Sequence, residues 1–177
     1  MRKYLIISLL ASYSIVFAGE SEDFKAVDNL YKERNFKAAL VESEKFLQKY
    51  PESKHQKSMR DKVAKIYFLE KDYKKAEEIF KKLFTLEEKQ SQKDEYASYL
   101  ARANALLNNS DSAMFYVREI KDKKIFQKTF FAVAQNFLAK ENNEVALKAY
   151  KEIIDNKYEN YKESMMGLGI VYYNLKD

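Results

Sequence analysis

The chain has 177 residues, a formal net charge of +5, three glycines, one proline and no cysteine. That length fits one domain with a sizeable core, and so few glycines and prolines exclude a β-rich fold, which spends many such residues on turns. Lysines and acids alternate through Lys71–Glu78, as on a solvated helix face, so the basic surplus forms no concentrated stripe for nucleic acid; without cysteine, burial of apolar surface has to supply the stability.

Residues 1–18 differ from the rest. Arg2 and Lys3 precede an apolar stretch from Tyr4 to Phe17, and Val16-Phe17-Ala18 supplies small residues ahead of Gly19. This is the layout of a secretory signal peptide cut after Ala18, and the apolar run is too short for the ~20 residues of a bilayer crossing. No cysteine stands at the junction to take a lipid, so residues 19–177 are expected to be exported, carrying a charge of +3 and no stable membrane insertion.

Four alanines follow at near-regular intervals: Ala39, Ala76, Ala113 and Ala146. Nine residues before them lie Leu30, Tyr67, Asn104 and Phe137, of which Asn104 is the outlier, and twelve before the last three lie Ala64, Ala101 and Ala134. Seven after the last three come Leu83, Ile120 and Ile153, continuing an apolar stripe at helical spacing. The small residues mark places where two helices approach closely, so each interval reads as helix A, polar turn, helix B.

The turns are residues 33–36, 70–73, 108–111 and 141–144, where Asn, Asp and Ser are placed to cap the opening N–H groups of helix B. Pro51 ends the first helix B and predicts an extended Tyr50.

Taken together these residues resemble the tetratricopeptide repeat family over nearly all of residues 19–177. The second repeat carries the pattern best, with Ala64, Tyr67, Asp72, Tyr73, Ala76 and Phe80; the first supplies Asn35, Phe36, Ala39 and Pro51. Tryptophan is absent, and no aromatic follows the third or fourth turn. The resemblance implies an all-α, right-handed solenoid of antiparallel hairpins that binds proteins or peptides. Phe46-Leu47-Gln48-Lys49-Tyr50-Pro51-Glu52-Ser53 is similar to a joint in periplasmic repeat proteins of the outer-membrane assembly and Tol-Pal coordinator type, which implies the periplasm or cell envelope.

The last residues, Gly167 to Asp177, read as helix A of a fifth repeat, with Gly169, Tyr172 and Asp177 in register with Ala64, Tyr67 and Asp72. Met165, Met166, Leu168, Ile170 and Val171 then lack a partner helix, so either the array continues past residue 177 or another molecule, a second copy included, covers that face. The position of the stop, where a turn belongs, favours the first.

Catalytic chemistry is not expected. His55 is the sole histidine, read as a linker residue without companions for a metal site or triad, and the acidic pairs Glu77-Glu78 and Glu87-Glu88 are neighbours on helices and point apart. Gly167 and Gly169 lack the following basic residue of a phosphate loop. No cofactor is expected. Most aromatics, among them Phe36, Tyr67, Tyr73, Phe80, Phe137, Tyr150 and Tyr172, fall at packing positions.

The family's repeat positions imply a concave partner-binding face made of Phe24, Asp28, Tyr31, Asp61, Lys65, Phe68, Ser98, Arg102, Phe131 and Gln135. Rings and charges mixed in this way suit a peptide, with apolar anchors for affinity and charges for register. Chaperone-docking members clamp a carboxylate with Lys and Asn on the first helix A; Phe24 and Asp28 stand there instead.

Overall fold

A computed structural model describes residues 19–176; the expected signal peptide, residues 1–18, lies outside them, as does Asp177. Among the described residues all regular structure is α-helical. Helix α1 covers 19–32, followed by α2 (Phe36–Lys49), α3 (Gln56–Leu69), α4 (Tyr73–Leu86), α5 (Gln90–Leu106), α6 (Ser110–Glu119), α7 (Lys123–Ala139), α8 (Asn143–Asp155) and α9 (Tyr161–Asn174).

The four expected turns separate α1 from α2, α3 from α4, α5 from α6 and α7 from α8, and one device builds them all. Arg34, Lys71, Asn108 and Glu141, each five residues before its repeat alanine, hold φ of 59°, 65°, 61° and 60°. The next residue's N–H reaches back to the carbonyl of Leu30, Tyr67, Asn104 or Phe137 at 2.8 to 2.9 Å, and the left-handed residue's own N–H meets Tyr31, Phe68, Ala105 or Leu138. This pair of bonds closes the last turn of a helix whose carbonyls would otherwise lack donors. It also explains the register of the outlier: Asn104 performs the backbone task of Tyr67 and Phe137, while its side chain, fully buried, donates to the Leu100 carbonyl.

The residue that ends one helix then opens the next. Side chains of Asn35, Asp72 and Asn142 accept from the N–H of Ala38, Lys75 and Val145. Asn109 makes no such cap; its amide points instead to Asn104 Oδ1. Fusing both ends into three residues is what lets so short a link reverse the chain with no glycine.

Contacts divide the chain into two compact units, one running to Ile66 and one from Tyr67. In the first, Val27, Phe46, Tyr50 and Met59 form the core with Phe24 and Leu47 against it. Tyr50 leaves the helix at φ −125° and ψ 62°, short of the extended conformation expected before Pro51. Gln56 Nε2 accounts for the helix end, donating to the carbonyls of Leu47 and Tyr50.

In the second unit, α4 packs on α5, α5 on α6 and α7, α6 on α7, α7 on α8 and α9, and α8 on α9. Ala76, Ala113 and Ala146 are fully buried, as are Ala101 and Ala134, because a Cβ is all that fits where the hairpin helices meet. Phe80 stacks on Tyr99 with ring centroids 4.6 Å apart, whereas Tyr150, four residues after its own alanine like Phe80, lies over Gly167. A Cβ on Gly167 would stand 2.5 Å from Tyr150 Cζ, while one on Gly169 would meet nothing within 4 Å. The close approach in α9 thus belongs to Gly167, and Gly169, assigned to the slot of Ala64, faces solvent because no helix follows α9 among the described residues.

A polar staple recurs nineteen residues before Ala39, Ala113 and Ala146. Glu20 accepts from the Ser53 hydroxyl at 2.6 Å, Asp94 from the N–H groups of Lys121 and Asp122, and Gln127 from the N–H of Glu159. Each pins the start of one helix A to the loop leading into the next.

Candidate functional site

Two stretches of surface, one in each unit, hold the expected binding residues. In the first unit Phe24 is half-buried, its ring stacked on His55 at 4.1 Å with Lys62 above it at 5.3 Å. His55 is therefore a half-buried packing residue as well as part of a linker. Asp28 pairs with Lys32 and Lys62, and the Lys32 ammonium beside it holds its carboxyl below the usual range. Asp61 pairs with Lys65 at 2.8 Å, and Tyr31 packs beside Phe36. The charges on this stretch are thus matched within the chain.

The second unit differs. Phe68 is only 8% exposed, with Tyr73 and Tyr99 edge-on to it, so it offers little surface to a partner directly. Ser98 and Thr129 share a hydrogen bond at 2.8 Å that ties α5 to α7. Arg102 lies with its guanidinium 4.8 Å from the Phe68 ring centroid and 6.0 Å from that of Tyr99, and its Nε is buried without a hydrogen-bond partner. No carboxylate pairs with Arg102 among the described residues.

Phe131 and Gln135 sit on α7, half-buried and exposed respectively, and both line a cleft of about 600 Å³. Leu138, Ala139, Tyr150, Met166, Gly167 and Ile170 complete its wall, and Glu163 supplies its carboxylate on α9. Met166 is 74% exposed and Ile170 51%. Tyr172, expected to fill the core like Tyr67, is instead 44% exposed with the Lys151 ammonium 5.7 Å from its ring. That slot is closed by the helix that follows, and among the described residues none follows α9.

A larger cleft of about 790 Å³ lies between α6 and α8. It contains none of the expected residues, and its rim mixes the acids Asp111, Glu119 and Glu152 with the bases Arg118 and Lys148, so neither sign dominates it by more than one charge. Among the described residues no cluster of His, Cys, Asp or Glu has metal-binding geometry, and no helix is long and apolar enough to cross a membrane.

The sequence matches no protein-family model and no curated protein.

Sequence reasoning missed that Arg102 lacks a carboxylate partner, although the signal was present. Lys65 has Asp61 four residues before it, within reach on the same helix face, while Arg102 has Ser98 there and Leu106 four after.

Proposed function

We propose that this chain is an exported binding scaffold, a right-handed stack of helical hairpins of the tetratricopeptide type, which holds a peptide or protein segment on the face shared by its A helices. The observation that supports the reading is the second unit's packing order, in which α5 meets α7 and α7 meets α9, with Phe131, Gln135, Met166 and Ile170 on one cleft and Arg102 on the neighbouring helix at the position equivalent to Gln135. Exposed apolar side chains next to a cation without a carboxylate are costly on a protein with no ligand and useful on one that has a ligand. Residues 1–18 support export to the periplasm or cell envelope, and the lack of convergent catalytic groups supports binding over catalysis.

Capture from an envelope extract of the source organism tests this. Arg102→Glu and Lys65→Glu should each reduce recovery of the partner with helicity unchanged; recovery equal to wild type for both would contradict it.

A second reading has its own observation. Met165, Met166, Ile170, Tyr173 and Leu175 are all at least 48% exposed on or next to α9, a surface suited to self-association. Sedimentation over a dilution series decides: a monomer at every concentration removes that reading.

A further inference from the structure

Resting on the scaffold reading, we infer that the segment held on α5, α7 and α9 is an acidic–apolar peptide, its carboxylate on Arg102 and a bulky apolar side chain in the cleft of Phe131, Met166 and Ile170. The guanidinium is prepared for such a group. The rings of Phe68 and Tyr99, 5.2 Å apart, both lie to one side of it and hold it in place through ring contacts that use none of its N–H donors. Nε is withdrawn from water without a hydrogen bond, whereas the two Nη groups are not buried and are left to make in-plane, charge-assisted bonds to an arriving carboxylate. Elsewhere along the expected face the cations are matched, Lys62 with Asp28 and Lys65 with Asp61.

Charge also fixes the direction of the ligand. Arg102 stands on α5, while the cleft ends on α9 at Glu163, which repels a second acid. The acid therefore lies over α5 and the apolar anchor over α7 and α9. Arg102 and Gln135 occupy equivalent positions, eleven residues before Ala113 and Ala146, on helices packed side by side. With helix axes ~8 to 10 Å apart, the cleft between α7 and α9 lies about one and a half steps, ~12 to 15 Å, from Arg102, which an extended chain advancing ~3.3 Å per residue spans in roughly four residues.

The test is selection of phage-displayed random dodecapeptides on the purified protein, followed by fluorescence polarisation with the enriched peptides. The inference expects an enriched Asp or Glu about four residues from a Phe, Leu or Met. Replacing that acid with Ala, or making Arg102→Gln, should each weaken binding at least tenfold, and combining them should weaken it no further. Enriched peptides lacking an acid, or losses that multiply in the double change, would overturn the inference and leave the scaffold reading standing. Selection that yields no binder would overturn both. In the unsubstituted protein the Met166 methyl resonance should shift on peptide addition while that of Met165, outside the cleft, stays in place; the opposite pattern would overturn the assignment of the cleft.

Discussion

Gly167 and Gly169 form a self-controlled pair for the packing of α9. Both lie inside the same helix, so changing either to Ala gains the same ~1 kcal/mol of helix propensity. They differ in what the new methyl meets. At Gly169 the space is open, whereas at Gly167 the Cβ falls 2.5 Å from Tyr150 Cζ and 2.8 Å from both Cε atoms. Tyr150 is 1% exposed and its ring packs edge-on against Phe131, so it can yield to a new methyl only by disturbing that contact. Overpacking of this kind costs ~1 to 3 kcal/mol. Gly169→Ala should therefore stabilise α9 by ~1 kcal/mol, and Gly167→Ala should fall below it by ~1 to 3 kcal/mol, roughly 5- to 150-fold in the opening equilibrium. Native-state amide exchange at the buried Val171 reads that opening directly. Equal protection in the two variants would mean that α9 does not rest on Tyr150.

Lys71→Gly should raise the unfolding free energy by up to ~1 kcal/mol, read as a higher urea midpoint, since a side chain at φ 65° is strained where glycine is not; a lowered midpoint would contradict the turn geometry. Asp94→Ala removes the acceptor for two backbone N–H groups and should cost ~1 to 3 kcal/mol in the same assay, an effect absent for the exposed Asp111→Ala. Hydrogen bonds from Lys49 and from the Tyr50 hydroxyl hold the Asp23 carboxyl below its ordinary value, so its contribution is present above the unfolded value near ~3.9 and lost as pH falls through the lower folded one. The stability gap between wild type and Asp23→Asn should accordingly be open at pH 7 and closed in strong acid, and a gap that does not change with pH would refute the assignment.

The turns within the hairpins were legible because alanine at the hairpin contact is a steric demand that few residues meet, so the spacing of Ala39, Ala76, Ala113 and Ala146 carried the register to the four A-to-B reversals, though not to the links that lead from one hairpin to the next. The left-handed residues were not legible: Arg34, Lys71 and Glu141 carry no glycine signal, and the conformation is imposed by the caps on either side. Nor were the staples, since Glu20, Asp94 and Gln127 share only an acceptor oxygen. Tyr172 was misread as core because a repeat position describes a slot without saying whether the neighbour that closes it is there. On the candidate face the residue types were readable at Arg102 and Phe131, but the burial of Phe68 beneath the guanidinium depends on tertiary packing of α3 residues against α5, which no local pattern encodes.

Whether the A helices of the second unit continue in one direction is the claim on which the proposed binding face depends. With no native cysteine, Ser91, Lys124 and Glu159, exposed residues at equivalent positions near the starts of α5, α7 and α9, can each be replaced by cysteine and spin-labelled cleanly. Electron–electron double resonance between labels at positions 91 and 159 should give a separation corresponding to ~20 Å between the helix axes, two interhelix steps of ~8 to 10 Å, and distinctly longer than that between 91 and 124. Equal separations, with α9 folded back beside α5 as in a closed bundle, would contradict the account.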